Sequence, residues 1–412
     1  MARQSRPRKQ SKGAAARKAG NNLIAIRALN DKKKLVEVLV PRSAGPIIVR
    51  MARQWGYILR VRTRWAGDTD MREYFGARAI EDLAKLGISS GRIQDFALVE
   101  HIEIELFAWD PANADTVAKA DAHRIFEAAA EIPWEYLFSA ATRNVGRFQS
   151  LLITRCFSNG SRVKPAAPRR FLFVESAPGR IEEKYGFVDE ETRIGAAVNL
   201  RENRGLEFAR TEPYSKLKAM VEANAWQAIH VTGVDTHQAA WLIDGFYDSV
   251  ARKADVIDKS DLLHDGMIIR GDKDSELPVR YNELADLLLA SQQQPKARRP
   301  AAPNVITLNL YYSGARTALE LVRRGTYAAL GFLDQIDDEF AERFFQAFYW
   351  AWCHDGESIP AAFLYAWSEM ESDRMHGTAI VIWLGRSMLG EARRSKNSIT
   401  RKPAVRRRTG AR

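Results

Sequence analysis

Cysteine is scarce in this sequence, and long apolar runs are missing. Only Cys156 and Cys353 occur among 412 residues, so no disulfide framework is possible and a reducing, cytoplasmic setting is expected. No apolar run approaches the ~18 residues of a membrane span, and the longest candidate is 378–385. The basic N-terminus is not followed by an apolar segment, which excludes a secretory signal. We therefore expect no membrane association.

Motifs that hold cofactors and metals are also missing. There is no G-x-x-x-x-G-K-[ST] phosphate loop and no G-x-G-x-x-G after a strand. The seven histidines show no H-x-x-x-H spacing, and the two cysteines are not spaced as a metal-binding pair. We therefore expect no metal site and no cofactor.

Acidic residues are absent from both ends of the chain. Residues 1–20 hold seven Lys/Arg and residues 393–412 hold nine, whereas the remainder has 46 basic and 51 acidic residues and a net charge of −5. With so little apolar content, we predict disordered basic tails over 1–21 and 391–412. Such tails could contact nucleic-acid phosphates, but no aromatic residues or recognition fold accompany them, which favours a solubilising role.

Between the tails, the hydrophobic pattern predicts two regions. Residues 22–98 are expected to form a small α+β region, with strands at 35–40 and 57–65 and a helix at 72–87. Residues 99–390 form the larger domain. It begins with the alternating segment 101–109, which predicts a half-buried strand.

From residue 170 onward, strands alternate with helices, which predicts a mainly parallel sheet covered on both faces. In such folds functional groups gather beyond the carboxyl ends of strands. Two strand ends stand out, "AIHVTG" at 228–233 and "VITLNL" at 305–310. The candidate binding residues that follow or lie in them are His230, Asp235, His237, Tyr311, Tyr312 and Ser313.

Few of these residues have suitable chemistry. A tyrosine hydroxyl with a pKa of ~10 is a poor nucleophile. Ser313 could react, but Ser-Gly after a strand is typical turn chemistry. His230 alternates into an apolar strand, which predicts a buried, hydrogen-bonded side chain. His237 lies in a polar loop, where a base, a ligand-binding group and no function all stay open.

Several segments together resemble the CHAT domains, relatives of caspases and separase. The resemblance spans roughly residues 100–375. It rests on five ordered segments: "IPWEYLF" (132–138), "AIHVTGVD" (228–235), "VITLNLYYSG" (305–314), "LVRRGTYAALGF" (321–332) and "FFQAFYWAWCHDGESIPAAFLYAW" (344–367). The second is similar to the family's H-x-x-G-H-G strand, and the third to its L-N-A-C-x-S-G strand.

The resemblance implies a caspase-like αβα sandwich and, in active members, a Cys–His dyad that hydrolyses peptide bonds. His230 and Gly233 match the histidine strand, but the catalytic histidine falls on Val234. On the nucleophile strand the cysteine falls on Tyr311. The family dyad is therefore replaced at both positions, and no catalytic residue is assigned.

The sequence thus predicts a catalytically inactive CHAT-like pseudopeptidase. By analogy with the family, it would be a protein-binding sensor, scaffold or regulator in a bacterial defence or regulated-proteolysis system, with the partner bound as an extended peptide. Residues 22–98 would be a docking or sensing module. One alternative is an active peptidase with Ser313 and His237 as a displaced dyad. The other is a nucleic-acid-associated protein tethered by its tails.

Overall fold

The computed structural model describes most of the chain between the two basic tails. The described residues are 20–30, 32–109, 115–142, 151–160, 165–179, 187–198, 205–242, 265–273, 275–293, 302–370 and 379–389. Residues 1–19 and 390–412 lie outside them, so the predicted tails stay predictions.

Ten strands of the described chain form one sheet. They are β1 (Asn22–Leu29), β2 (Leu35–Pro41), β3 (His101–Leu106), β4 (Leu152–Cys156), β5 (Arg170–Ser176), β6 (Gly205–Arg210), β7 (Ala228–Gly233), β10 (Val305–Asn309), β11 (Ala328–Phe332) and β12 (Ile380–Leu384). The remaining strands, β8 (Gly266–Arg270) and β9 (Glu276–Arg280), pair with each other in an antiparallel ribbon.

The strand order is β2-β1-β3-β4-β12-β11-β10-β7-β5-β6. Pairing is parallel except at β1–β2, β1–β3 and β11–β12. Parallel sheets need cover on both faces, and this explains the continuous apolar runs of the central strands. The predicted α/β architecture with a mainly parallel sheet is confirmed.

Helices pack against both faces of this sheet. On one face lie α1 (Gly45–Arg60), α2 (Arg62–Trp65), α3 (Thr69–Lys85), α4 (Ser90–Ala97), α5 (Thr116–Glu131), α6 (Trp134–Thr142), α8 (Tyr214–Ala223), α10 (Tyr281–Leu288) and α11 (Arg316–Arg323). On the other lie α7 (Val188–Val198), α12 (Asp338–Tyr349), a π-helical turn (Trp350–Asp355) and α13 (Ile359–Glu369). A short helix, α9 (Thr236–Leu242), follows β7. Two hydrophobic cores result, one for each face of the sheet.

The N-terminal region shares the sheet of the larger domain. β1 pairs with β2 on one side and with β3 on the other, in register from Ile24–Leu106 to Ala28–Ile102. On the neighbouring layer, α1 packs against α5. Residues 22–98 therefore extend the sheet at one edge and are in direct contact with the region that follows them.

The strand predicted over 57–65 is wrong. Residues 45–60 form α1, and its buried residues Ile48, Met51, Trp55 and Leu59 recur at helical spacing, with a proline in the first turn. The alternation in "YILRVRTRW" matches a strand only over a short window, and the period of 3.6 over the longer segment dominates.

The strand predicted at 101–109 forms as β3 but is buried on both faces. Its acidic residues are inside because they have partners. Glu105 pairs with Arg27, and Glu103 accepts hydrogen bonds from the Ser387 hydroxyl and the Met388 amide. Partnered carboxylates can be buried where unpaired ones cannot.

Candidate functional site at the ends of two central strands

The ends of β7 and β10 lie side by side in the sheet. These strands pair in parallel from Val305–Ala228 to Asn309–Thr232. Val234 and Tyr311 each follow two residues after the last pair. The sheet therefore brings Val234 and Tyr311, the two positions that the CHAT resemblance aligns with a catalytic dyad, to the same end of the sheet.

Val234 is enclosed. Its side chain is fully buried, its carbonyl accepts a hydrogen bond from the Ile268 amide at 2.9 Å, and Asp235 forms a bridge with Met267 of β8. The preceding Gly233 allows this close approach, since a Cβ there would lie 2.5 Å from the Ser176 carbonyl oxygen. An isopropyl group in this setting supplies no proton transfer.

The side chains of Tyr311 and Tyr312 lie in different environments. The Tyr311 hydroxyl lies 3.5 Å from a carboxylate oxygen of Asp338 at the start of α12. The Tyr312 ring packs on His237, with centroids 4.5 Å apart, and lies beneath the Arg60 guanidinium of α1. Burial raises the pKa of Tyr312 to about 12. The φ of Tyr312 is 58°, which is unfavourable for a residue other than glycine. Backbone strain of this kind clusters at functional sites.

Ser313 faces inward. Its hydroxyl donates to the Leu310 carbonyl at 2.7 Å and accepts from the Phe332 amide at 3.3 Å, and the residue is 2% exposed. The turn packs tightly on β11, because a Cβ on Gly331 would lie 2.5 Å from the Ser313 hydroxyl. These contacts fit the turn role that Ser-Gly predicted.

His230 lies at the centre of a buried polar cluster. Its Nδ1 lies 2.7 Å from the Thr307 hydroxyl and its Nε2 lies 2.9 Å from the Glu190 carboxylate. Glu190 also accepts from the Thr232 hydroxyl and the Asn309 amide, at 2.6 and 2.8 Å. We call these five residues the Glu190 cluster.

The Glu190 cluster is packed among aromatic rings. Phe173, Phe345 and Tyr349 lie with centroids 5.1 to 5.9 Å from the His230 ring, and the Tyr349 hydroxyl hydrogen-bonds to Thr307. Glu190 and His230 are both fully buried. Glu190 was not among the predicted site residues, because its helix carries no motif and is rich in charged residues.

A second polar group, the Asp235 cluster, consists of Asp235, His237 and Asp265 beside β8. One carboxylate oxygen of Asp235 accepts from the amides of His237 and Gln238, while the other is buried without a partner. His237 Nε2 lies 3.5 Å from an Asp265 oxygen and has no hydrogen bond. Burial raises the pKa of Asp235 to about 7. This cluster is incompletely satisfied.

A small acidic cavity opens beside Tyr311. Its volume is about 50 Å³, and it is lined by Phe187, Glu190, Gly233, Gln238, Asn309, Leu310, Tyr311, Asp338 and Glu342. Burial and neighbouring carboxylates raise the pKa values of Asp338 and Glu342. The space holds a few waters and is far below the ~300 Å³ of a ligand pocket.

Both cysteines are buried. Cys156 ends β4, where burial raises the pKa of its thiol well above the usual value, and Cys353 is buried in the π-helical turn. In the described part of the chain, no three His, Cys, Asp or Glu residues are placed to hold a metal ion. None of the described helices is long and apolar enough to cross a membrane.

Comparisons with known proteins add little. No known family model matches the chain, and no curated protein matches it. Among solved structures it is similar to a chain of the Saccharomyces cerevisiae separase–securin complex, with 10% identity and a TM-score of 0.30. The match covers 85% of this chain and 28% of that chain, so this chain spans less than a third of its length. A TM-score this low does not establish a shared fold.

Proposed function

We propose that this chain is a CHAT-like pseudopeptidase that binds a polypeptide segment at the ends of β7 and β10 without cutting it. The observation that carries the proposal is the pair of residues at these adjoining strand ends. Val234 is enclosed and apolar, and Tyr311 presents a phenol where a thiolate is needed for attack. Such a protein acts as a sensor, scaffold or regulator of a partner.

The displaced dyad of Ser313 and His237 has less support. A serine nucleophile needs its hydroxyl hydrogen-bonded to a base and exposed to substrate. Ser313 donates instead to the Leu310 carbonyl and is 2% exposed. His237 packs on Tyr312 and faces Asp265. The geometry therefore favours binding over hydrolysis.

The acidic cavity suggests which peptides are bound. Glu190, Asp338 and Glu342 all line it, and burial together with neighbouring carboxylates raises the pKa values of the last two, with Arg193 lying 3.4 Å from Glu342 as a partial counter-charge. A lysine or arginine side chain relieves that repulsion, so charge complementarity favours a basic residue. Because the cavity is small, we infer that Tyr311, which lines it beside Asp338, moves to admit such a side chain.

A panel of labelled eight-residue peptides with Arg, Lys, Asp or Ala at the centre tests the proposal. Fluorescence anisotropy should show that the Arg and Lys peptides bind about tenfold more tightly than the Asp peptide, a difference of ~1.4 kcal/mol. The Asp338→Asn/Glu342→Gln variant should lose that preference. Glu339→Gln, which removes an exposed charge from the same helix, should keep it. Equal or absent binding across the panel contradicts the proposed site.

A further inference from the structure

A basic and aromatic surface lies on the N-terminal helices. Between residues 42 and 67 the chain has six arginines and no acidic residue. Arg50, Arg53, Tyr57 and Arg60 recur at intervals of three and four along α1, and all four are exposed. Because that spacing follows the helical repeat, they share one face over ~15 Å of helix. With Tyr74 of α3 they form what we call the arginine–tyrosine face.

The charges on this face are uncompensated. Arg50, Arg53 and Arg60 form no ion pair with any carboxylate of the described residues, and the Arg60 guanidinium lies over the Tyr312 ring, 5.4 Å from its centroid. The nearby Asp121 is paired with Arg124 at 3.1 Å. Elsewhere on the surface, arginines such as Arg210 and Arg343 are held by glutamates. The face therefore attracts anions.

Its tyrosines are unusually accessible. Tyr57 is 72% exposed and Tyr74 is 60% exposed. Both border a groove of about 410 Å³ between α1 and α3 that is also lined by Arg53, Gln54, Ile58, Phe75 and Arg78. A second groove, of about 530 Å³, shares Arg53 and Gln54 with the first and is also lined by Arg50, Asp121 and Arg124. The aromatic rings therefore lie at the first groove, and guanidinium groups border both.

We propose that the arginine–tyrosine face binds single-stranded nucleic acid. Regularly spaced phosphates satisfy the unpaired arginines, and unpaired bases stack on the exposed tyrosine rings. An acidic peptide supplies the anions but no flat rings for Tyr57 and Tyr74. A duplex keeps its bases stacked on each other, so it offers none to the tyrosines. This surface is built from helices of the described chain and is distinct from the basic tails, and at Arg60 it adjoins the peptide site at the ends of β7 and β10 through the Tyr312 ring.

The test is anisotropy with fluorescein-labelled dT20 and U20 on the full chain and its variants. The basic tails also attract nucleic acid, so the affinity of each variant is compared with that of the wild type in the full-length chain, where the tails are the same. Tyr57→Ala/Tyr74→Ala should weaken binding at least tenfold, while Tyr57→Phe/Tyr74→Phe stays within twofold because the rings remain. Both tyrosines are exposed, so the fold is expected to persist, which circular dichroism checks.

Arginine variants test the electrostatic part. Arg50→Gln/Arg53→Gln should reduce the slope of log affinity against log salt by about 1.4, since each single-strand phosphate contact contributes ~0.7. The matched control, Lys216→Gln/Lys218→Gln on α8, removes equal charge from another surface and should leave the slope nearly unchanged. Wild-type chain that fails to bind, alanine variants within twofold of wild type, or polyglutamate of the same length binding as tightly as dT20 would each overturn the proposal.

Discussion

Two polar clusters adjoin the ends of β7 and β10, and they differ in how fully their hydrogen bonds are made. In the Glu190 cluster every member contacts another, and aromatic rings enclose the centre. In the Asp235 cluster a carboxylate oxygen and an imidazole nitrogen are buried without hydrogen bonds. A satisfied network stabilises the fold, whereas unsatisfied groups cost free energy and recur at functional sites. The comparison assigns a stabilising role to the Glu190 cluster, of which Glu190 and Asn309 also line the proposed peptide site, and identifies the Asp235 cluster as the less satisfied of the two.

The strongest test of this comparison removes Glu190. In Glu190→Ala, the buried His230, Thr232 and Asn309 lose their shared acceptor, and we expect the free energy of unfolding to fall by about 4 kcal/mol. Urea denaturation measures it. The neighbouring Glu191 pairs with Arg210, whose side chain is 59% exposed, so Glu191→Ala should cost under ~1 kcal/mol. Equal losses of unfolding free energy in Glu190→Ala and Glu191→Ala would contradict the stabilising role of the Glu190 cluster.

The second test uses the pKa of Asp235. Because burial raises this pKa to about 7, the folded state keeps the proton after the unfolded chain has released it. Stability should therefore fall as the pH rises from about 4 to about 7, and the loss measured between pH 5 and pH 8 should be roughly 2 to 3 kcal/mol.

The Asp235→Asn variant isolates that contribution. Asparagine keeps an oxygen for the His237 and Gln238 amides but does not ionise. Denaturation at pH 5 and pH 8 should show a smaller drop for the variant than for the wild type. Parallel drops would mean that Asp235 is not the titrating group.

A third test asks whether Ser313 belongs with the satisfied groups. Ser313→Ala removes hydrogen bonds with the Leu310 carbonyl and the Phe332 amide, and should cost ~1 kcal/mol of unfolding free energy. Labelling by a serine-directed fluorophosphonate should be absent in the wild type as in the variant. Labelling that disappears in Ser313→Ala would instead support the displaced dyad.

The smallest expected effect is at Tyr311. The Tyr311 hydroxyl lies 3.5 Å from Asp338, at the limit of a hydrogen bond. Tyr311→Phe should therefore change the free energy of unfolding by less than ~0.5 kcal/mol. A loss of unfolding free energy as large as that of Ser313→Ala would instead show that the contact between Tyr311 and Asp338 stabilises the fold.

The sequence predicted the two strands at the candidate site well because they are continuous apolar runs. β7 and β10 form within one residue of the predicted segments, and His230 is buried and hydrogen-bonded as its alternation indicated. The partner Glu190 was missed. It lies 40 residues from His230 in a helix rich in charged residues, and only the folded sheet brings the two together.

Errors in the N-terminal region have a different cause. The segment 57–65 matched strand alternation locally, whereas α1 is stabilised by apolar residues spread over sixteen positions and packed on α5. The pairing of β1 and β2 with the edge of the main sheet could not be predicted from the sequence, because strand pairing between distant segments depends on tertiary packing. Because 57–65 was predicted as a strand, the sequence did not predict that Tyr57 and the arginines of α1 share one helical face.

The most direct test of the central claim is mass spectrometry of the Arg, Lys and Asp peptides after prolonged incubation with equimolar protein. The account predicts that the Arg and Lys peptides bind in anisotropy measurements and are recovered at full length. Cleavage products that accumulate with wild-type protein, and are lost when Ser313 or His237 is replaced by alanine, would contradict it.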